Sequence, residues 1–162
     1  MSCKVESLHS NAVPSIPFLM AIVEKSVLIP RSPQQMFDLV DRVEDYPQFL
    51  PWCGGTELLE RTGAKTAARI HINYHGIKAH FSTENAKDSP HWMNIDLRDG
   101  PFRRLDGGWR FTALGDAGCK VEFRLHYEFS SKILEKALGP VFGHIVGTFV
   151  DSFVKRAHQV YD

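Results

Sequence analysis

Between Val121 and Phe129 apolar and polar side chains alternate without a break. Val121, Phe123, Leu125, Tyr127 and Phe129 fall on one side, and Glu122, Arg124, His126 and Glu128 on the other. A period of two marks a strand with one face against a core. The same period runs through Ala68, Ile70, Ile72 and Tyr74, then through Ile77, Ala79, Phe81 and Thr83. It returns in Met93, Ile95 and Leu97, and again in Trp109, Phe111 and Ala113. Ala21 to Ile29, rich in Val and Ile and closed by Pro30, predicts the first strand, and Thr56 to Arg61 another. Gly76, Asp88-Ser89-Pro90 and Gly115-Asp116-Ala117-Gly118 read as connections, and Gly100-Pro101 and Gly107-Gly108 bracket another.

Two stretches have helical spacing instead. Ser32-Pro33 supplies a cap and a first turn, and Met36, Phe37, Leu39 and Val40 follow at helix period. A second short helix or turn is expected across Tyr46 to Trp52, limited by Pro47 and Pro51. From Lys132 onward one wide apolar stripe predicts a long helix, with a kink or restart near Gly139 because Pro140 removes a backbone donor. The order is strand, two short helices, about six strands, one long helix. An antiparallel meander with one apolar face needs a cover, and only the last helix is long enough to supply it. The predicted class is α+β: a curved antiparallel sheet of about seven strands around a C-terminal helix.

Composition changes little in this picture. The chain has 162 residues, 43% hydrophobic and 23% charged, which suits one domain. Lys+Arg and Asp+Glu are 19 each, so bulk charge draws the protein neither to DNA nor to anionic lipid. Three widely spaced cysteines, Cys3, Cys53 and Cys119, point to free thiols and a reducing compartment. Residues 1–19 lack both an apolar run and the patterning that starts at Met20. They are expected to be a disordered extension that begins at an upstream start codon, with the domain spanning 20–162.

Known chemical motifs are missing. There is no GxSxG, phosphate loop, GxGxxG or HExxH, so no catalytic residue and no metal ligand is assigned. The histidines, among them His71 and His80 on neighbouring predicted strands, read as surface residues. Asp99, Arg103, Arg104 and Asp106 read as surface ion pairs around one loop.

Three segments carry a resemblance. MAIVEKSVLIPRSPQQMFDLVDRVEDYPQFLPWC, DGPFRRLDGGWRF and FVDSFVKRAHQVY are similar to segments of the coenzyme Q-binding START family, which includes the RatA-type toxins within the polyketide cyclase-like superfamily. The resemblance covers Met20 to Tyr161 and implies the helix-grip fold. It also implies a lipid quinone, ubiquinone or a related polyprenyl quinone, as ligand, and a carrier or chaperone role supporting respiration or quinone biosynthesis. The protein would not be an enzyme, and would be cytoplasmic, in transient contact with the inner-membrane surface. The alternative it implies is a toxin that acts on ribosomal subunits, with Arg61, Lys65, Arg69, Lys78, Arg98, Arg103 and Arg104 as the basic surface. A cyclase-like enzyme is a third and weaker alternative.

Candidate walls of a ligand cavity are Phe49, Trp52, Phe81, Trp109, Phe111 and Phe123, with Phe142, Ile145 and Phe149 from the long helix. Ordinary core packing is the competing reading for each. Gly139, Gly143 and Gly147 recur every fourth residue, on one side of that helix. They serve either close approach to the sheet or room for a ligand, and Gly143 and Gly147 join the candidate set on the second reading. Phe49-Leu50-Pro51-Trp52 is either a plug closing one end of the domain or a lipid-admitting rim.

Overall fold

The protein was analysed as a computed structural model, which describes residues 2–8 and 20–162. Its elements are β1 (Ser2–Leu8), β2 (Met20–Ile29), α1 (Pro33–Asp41), α2 (Tyr46–Phe49), β3 (Cys53–Arg61), β4 (Lys65–Tyr74), β5 (Ile77–Asp88), β6 (Trp92–Asp99), β7 (Phe102–Ala113), β8 (Cys119–Phe129) and α3 (Lys132–Tyr161). The strands form one eight-stranded sheet in the order β1-β2-β8-β7-β6-β5-β4-β3. Every neighbouring pair is antiparallel. The meander from β3 to β8 thus returns to β2, and α1 and α2 make the crossover. This is the predicted α+β helix-grip architecture, with seven strands from Met20 onward.

Of the extension predicted to be disordered, residues 2–8 form β1, which covers the backbone groups that β2 would otherwise leave open at an edge. Residues 1 and 9–19 lie outside the described residues. The opposite edge, β3, carries a register shift between Leu58 and Glu60 that interrupts its ladder.

One strand differs from the sequence expectation. Gly107-Gly108 is no connection but the middle of β7, which runs unbroken past it and pairs on both sides. The reason is curvature. A Cβ on Gly107 would point into the backbone of β8, 2.8 Å from Leu125 Cα and closer still to the Arg124 carbonyl, while one on Gly108 would lie 2.8 Å from the Met93 carbonyl on β6. Only glycine fits a strand coiled this tightly between its neighbours. The bend wraps the sheet around α3. It also puts Arg103, Arg104 and Asp106 on a strand, where Arg104 Nε pairs with Asp106 at 2.7 Å.

Local chemistry fixes the helices. Ser32 caps α1: its Oγ accepts from Gln35 N at 3.1 Å, and the Gln35 side chain accepts from Ser32 N at 2.9 Å. The Ser131 hydroxyl caps α3 by accepting from Leu134 N at 3.1 Å. α3 continues through Pro140 without the restart predicted there. Pro140 and Lys136, whose carbonyl loses its partner, are both exposed, so water can replace the missing bond.

The two halves of α3 are held very differently. From Phe142 onward Phe142, Ile145, Val146, Val150, Phe153 and Ala157 are buried. Polar bonds add to them. Lys25, buried on the inner face of β2, reaches Asp151 at 2.7 Å. Tyr161 donates to the Gln35 carbonyl at 3.0 Å, and Arg156 to Gln48 at 2.9 Å. Before Phe142 no α3 residue is buried, and Ile133 is 81% exposed. By length and composition α3 could cross a membrane, with a mean hydropathy of 1.4 in its most apolar stretch. Here its second half is the centre of the core.

At the α1 end, Asp41 ties three elements together. It accepts from Thr66 Oγ1 at 2.7 Å and from Lys87 Nζ at 3.0 Å, and Arg61 lies 3.7 Å away. Arg61 also donates to both carboxylate oxygens of Glu44 at 2.7 Å. That guanidinium holds the Glu44 carboxyl down at about 2, against an ordinary 4.5. A depressed carboxyl contributes stability that is complete above its unfolded pKa and is lost as pH falls through the folded value. The Glu44 contribution is therefore present above pH 4.5 and fades toward pH 2. The side chain is 42% exposed, so solvent screening keeps the effect under about 1 kcal/mol. Glu44→Gln is expected to flatten the acid limb of the stability profile in that window, as read by urea melts at stepped pH. An unchanged slope would contradict the pairing.

Cys53 and Cys119 are buried and free. Burial pushes the Cys119 thiol up to about 11 and raises that of Cys53 as well. Since the thiolate is the reactive form, neither should react with a disulfide reagent at neutral pH until the domain unfolds. Rapid labelling of either in the native protein would contradict this.

Candidate functional site

The inner face of the sheet and the second half of α3 enclose an apolar cavity of about 80 Å³. Trp109 of β7 is part of its wall. Its ring is 4.6 Å from Phe123, 5.8 Å from Phe149 and 5.4 Å from Phe153. Trp52 closes the α2 side, 6.2 Å from Phe149. Phe81 and Phe142 meet edge to face at 5.9 Å. These two also border a second void of about 10 Å³, beside Leu138 and Val141 of the loosely held half of α3.

Of the candidate residues, Trp52, Phe81, Trp109, Phe123, Phe142, Ile145 and Phe149 line the larger cavity. Four lie elsewhere, for identifiable reasons. Phe49 packs outside it against Tyr46 and Phe153, at 6.0 and 5.2 Å, under the Arg156 guanidinium at 5.2 Å. Phe111 sits beyond Trp109, against Phe37 of α1 at 5.7 Å. Gly143 and Gly147 are not among the residues that line the cavity, and a Cβ on either would meet nothing within 4 Å. Close approach to the sheet does not account for those two glycines. A Cβ on Gly139 would only touch the Phe129 ring at 4.0 Å. In the Phe49–Trp52 cluster Leu50 and Trp52 are buried, at 1% and 3% exposure, and Pro51 alone is fully outward. That burial suits the plug reading of the cluster.

Two polar lining residues were not expected. Thr83 and Asn85 follow Phe81 on the inner face of β5 and border the cavity. The alternation that gives Ile77, Ala79 and Phe81 continues through them to Lys87, so the signal was there; their polarity disguised it. Asn85 Nδ2 lies 3.7 Å from Met93 Sδ, a weak donor contact. Its Oδ1 is buried without a partner, as is Trp52 Nε1. Tyr46, also on the wall, is satisfied: its hydroxyl donates to the Val40 carbonyl at 2.5 Å, and burial raises its pKa.

Outside, a larger open trough of about 710 Å³ crosses β2, β8, β7 and β6. Its charges answer one another. Arg124 approaches Glu24 at 3.5 Å and Arg104 holds Asp106, so the trough presents no single sign. Most of the basic residues considered for a nucleic-acid surface are similarly engaged. Arg61 binds Glu44, Lys65 binds Glu60 and Glu84 at 3.1 and 2.8 Å, Arg69 approaches Glu57 at 3.5 Å and Arg103 approaches Glu128 at 3.9 Å. His71 and His80 are cross-strand neighbours, and His71 meets Glu57 at 2.9 Å. Among the described residues no three His, Cys, Asp or Glu side chains converge on one point.

Residues 29–154 match the family described as "Polyketide cyclase / dehydrase and lipid transport". The ribosome association toxin RatA of Vibrio cholerae is 44% identical over 142 residues, which cover 88% of this chain and 99% of that one. The protein of that name from Escherichia coli is 40% identical over 143 residues, covering 88% and 90%. The mitochondrial coenzyme Q-binding protein COQ10 homolog B of Xenopus laevis is 27% identical, over 79% of this chain and 54% of that one. Among solved structures, an 18 kDa protein of Caulobacter crescentus superposes with a TM-score of 0.66 at 30% identity, covering 86% of this chain and 97% of that one. A START superfamily protein of Mycobacterium smegmatis does so at 0.67 and 20% identity, covering 86% and 98%. The Zhui aromatase/cyclase of Streptomyces reaches 0.73 at 15% identity, covering 86% and 94%, which speaks to the fold alone.

Proposed function

We propose, on the premise that the chain belongs to the polyketide cyclase / dehydrase and lipid transport family, that it holds a quinone-type isoprenoid lipid against α3 and carries it without chemical change. The family's fold is one that binds hydrophobic ligands. The observation that carries the finer reading is the cavity walled by Trp52, Trp109, Phe123 and Phe149, whose rings suit a flat conjugated ligand. The likeness to a coenzyme Q-binding protein supports the same ligand class. The polar side chains that join Trp52 and Tyr46 on the wall, Thr83 and Asn85, do not titrate near neutral pH. A site without an acid–base pair suits carriage better than cyclase chemistry. The setting we assign is cytoplasmic, with the lipid exchanged at the inner-membrane surface.

At about 80 Å³ the cavity is smaller than the roughly 300–1,000 Å³ usual for small-molecule sites. Uptake must therefore part the walls. The least anchored segment nearby is the first half of α3, which borders the small void, and the rings of Phe81 and Phe142 stand between that void and the cavity. Gly139 in that half, and Gly143 and Gly147 just beyond it, lower helix propensity by about 1 kcal/mol each relative to alanine. The double variant Gly143→Ala, Gly147→Ala, which meets no steric bar, should gain about 1–2 kcal/mol in stability and load lipid more slowly. Faster loading would refute this role for the glycines.

Mass spectrometry of an organic extract of the natively purified protein tests the main reading. Near-stoichiometric quinone supports it; a clean extract together with failure to load added quinone would sink it. The identity of 40–44% to RatA toxins supports a second reading, inhibition of ribosomal-subunit association through the outer surface. Sucrose-gradient profiles of purified subunits, with and without the protein, decide that one.

A further inference from the structure

Two residues that line this apolar cavity, from different parts of the chain, each carry a buried polar atom with no partner. Trp52, just after α2, is 3% exposed and lines the cavity with Nε1 unbonded. Asn85, on β5, lines it with Oδ1 unbonded. Buried polar atoms in folded proteins almost always have partners, so a pair left open beside one cavity calls for an explanation. An indole nitrogen only donates, and an amide oxygen only accepts. The orientation of the Asn85 amide follows from its surroundings. Turning it over would set the oxygen against Met93 Sδ, another acceptor, and lose the 3.7 Å contact made by Nδ2.

Both atoms belong to lining residues, so a cavity widened to admit a ligand would offer it one donor and one acceptor in an otherwise apolar, aromatic wall. From this, and resting on the lipid-binding reading above, we infer that the preferred ligand head is a hydroxyl-bearing ring, a hydroquinone or phenol, whose O–H donates to Asn85 while a ring oxygen accepts from Trp52. A fully oxidised quinone has acceptors only. It satisfies Trp52 but sets a carbonyl oxygen, or nothing, against the Asn85 oxygen. A plain hydrocarbon satisfies neither. Discrimination of this kind is strong because a mismatched ligand leaves a buried polar group without its bond. The protein would then carry the reduced member of a redox pair in preference to the oxidised one.

The test is anaerobic calorimetric titration of the full chain with three probes: an alkyl-substituted benzoquinol, the benzoquinone made from it, and an alkylbenzene of equal chain length. The wild type should bind the quinol at least tenfold more tightly than the quinone, and the alkylbenzene most weakly. Asn85→Leu should weaken quinol binding to the level of the quinone and leave quinone binding unchanged. Trp52→Phe should weaken both without changing the alkylbenzene. Equal wild-type affinities for quinol and quinone overturn the inference while leaving lipid binding intact, and so does a tenfold preference that survives in Asn85→Leu. No binding of any probe removes the lipid reading and this inference with it. If a variant fails to fold, the wild-type comparison still decides.

Discussion

Gly107→Ala is expected to yield no stable native domain, although it adds a single methyl group. The methyl would enter the backbone of β8 at Arg124 and Leu125, which cannot move aside as a flexible side chain would. Overpacking usually costs about 1–3 kcal/mol, and contact with paired backbone belongs at or above the top of that range. Against a total stability of about 5–15 kcal/mol, losses above about 4 kcal/mol are exceptional, and this position earns one. Gly63→Ala is the matched control, because a Cβ there meets nothing within 4 Å. Thermal melts followed by circular dichroism should show the control near wild type and the Gly107 variant unfolded or very labile. A Gly107 variant melting within a few degrees of wild type would mean that β7 is not coiled as described.

The second large effect is at Asp41. Its carboxylate is the partner of Lys87, whose side chain is only 6% exposed. Removing one member of a buried pair strands the other, at about 3–5 kcal/mol. Thr66 loses its acceptor as well. Asp41→Ala should lower Tm by about 6–20 °C, at the roughly 2–4 °C per kcal/mol usual for a domain of this size. The double variant Asp41→Leu, Lys87→Met should recover much of the loss, since a buried pair exchanged for apolar groups of similar size is often neutral. A double variant no better than the single one would show that Asp41 acts through Thr66 and Arg61, with Lys87 a bystander.

These two sites show where local sequence stops informing. The strands were legible because one side of the sheet is apolar and the side-chain period is two; β8 is the clearest case. Gly107-Gly108 looked like a turn because glycine pairs usually are turns, and nothing local reveals that β6 and β8 press on β7 from both sides. The polar inner positions are a different matter. Lys25 sits between Val23 and Val27, and Lys87 continues the series Phe81, Thr83, Asn85. Parity alone places these lysines inside. Their partners, Asp151 and Asp41, lie far away in the chain, so the pairs themselves could not be read. For the cavity, the aromatic content of the wall was legible and its boundary was not. Phe111 has the parity of Trp109 yet lies under α1, and Phe49 sits three residues from Trp52 but on the other side of the plug. The spacing of Gly143 and Gly147 was plain. That they touch nothing depends on where α3 rests, which no periodicity encodes.

The uneven anchoring of α3 has a consequence for its amide protons. The segment from Phe142 to Ala157, sealed by buried rings and by Lys25, should surrender its backbone hydrogens to deuterium only when the whole domain unfolds. The turns around Leu134 and Leu138, with no buried residue, should exchange through a much smaller opening that costs little and leaves the sheet in place. A single continuous helix would thus behave as two thermodynamic units, one moving with the global transition and one breathing on its own.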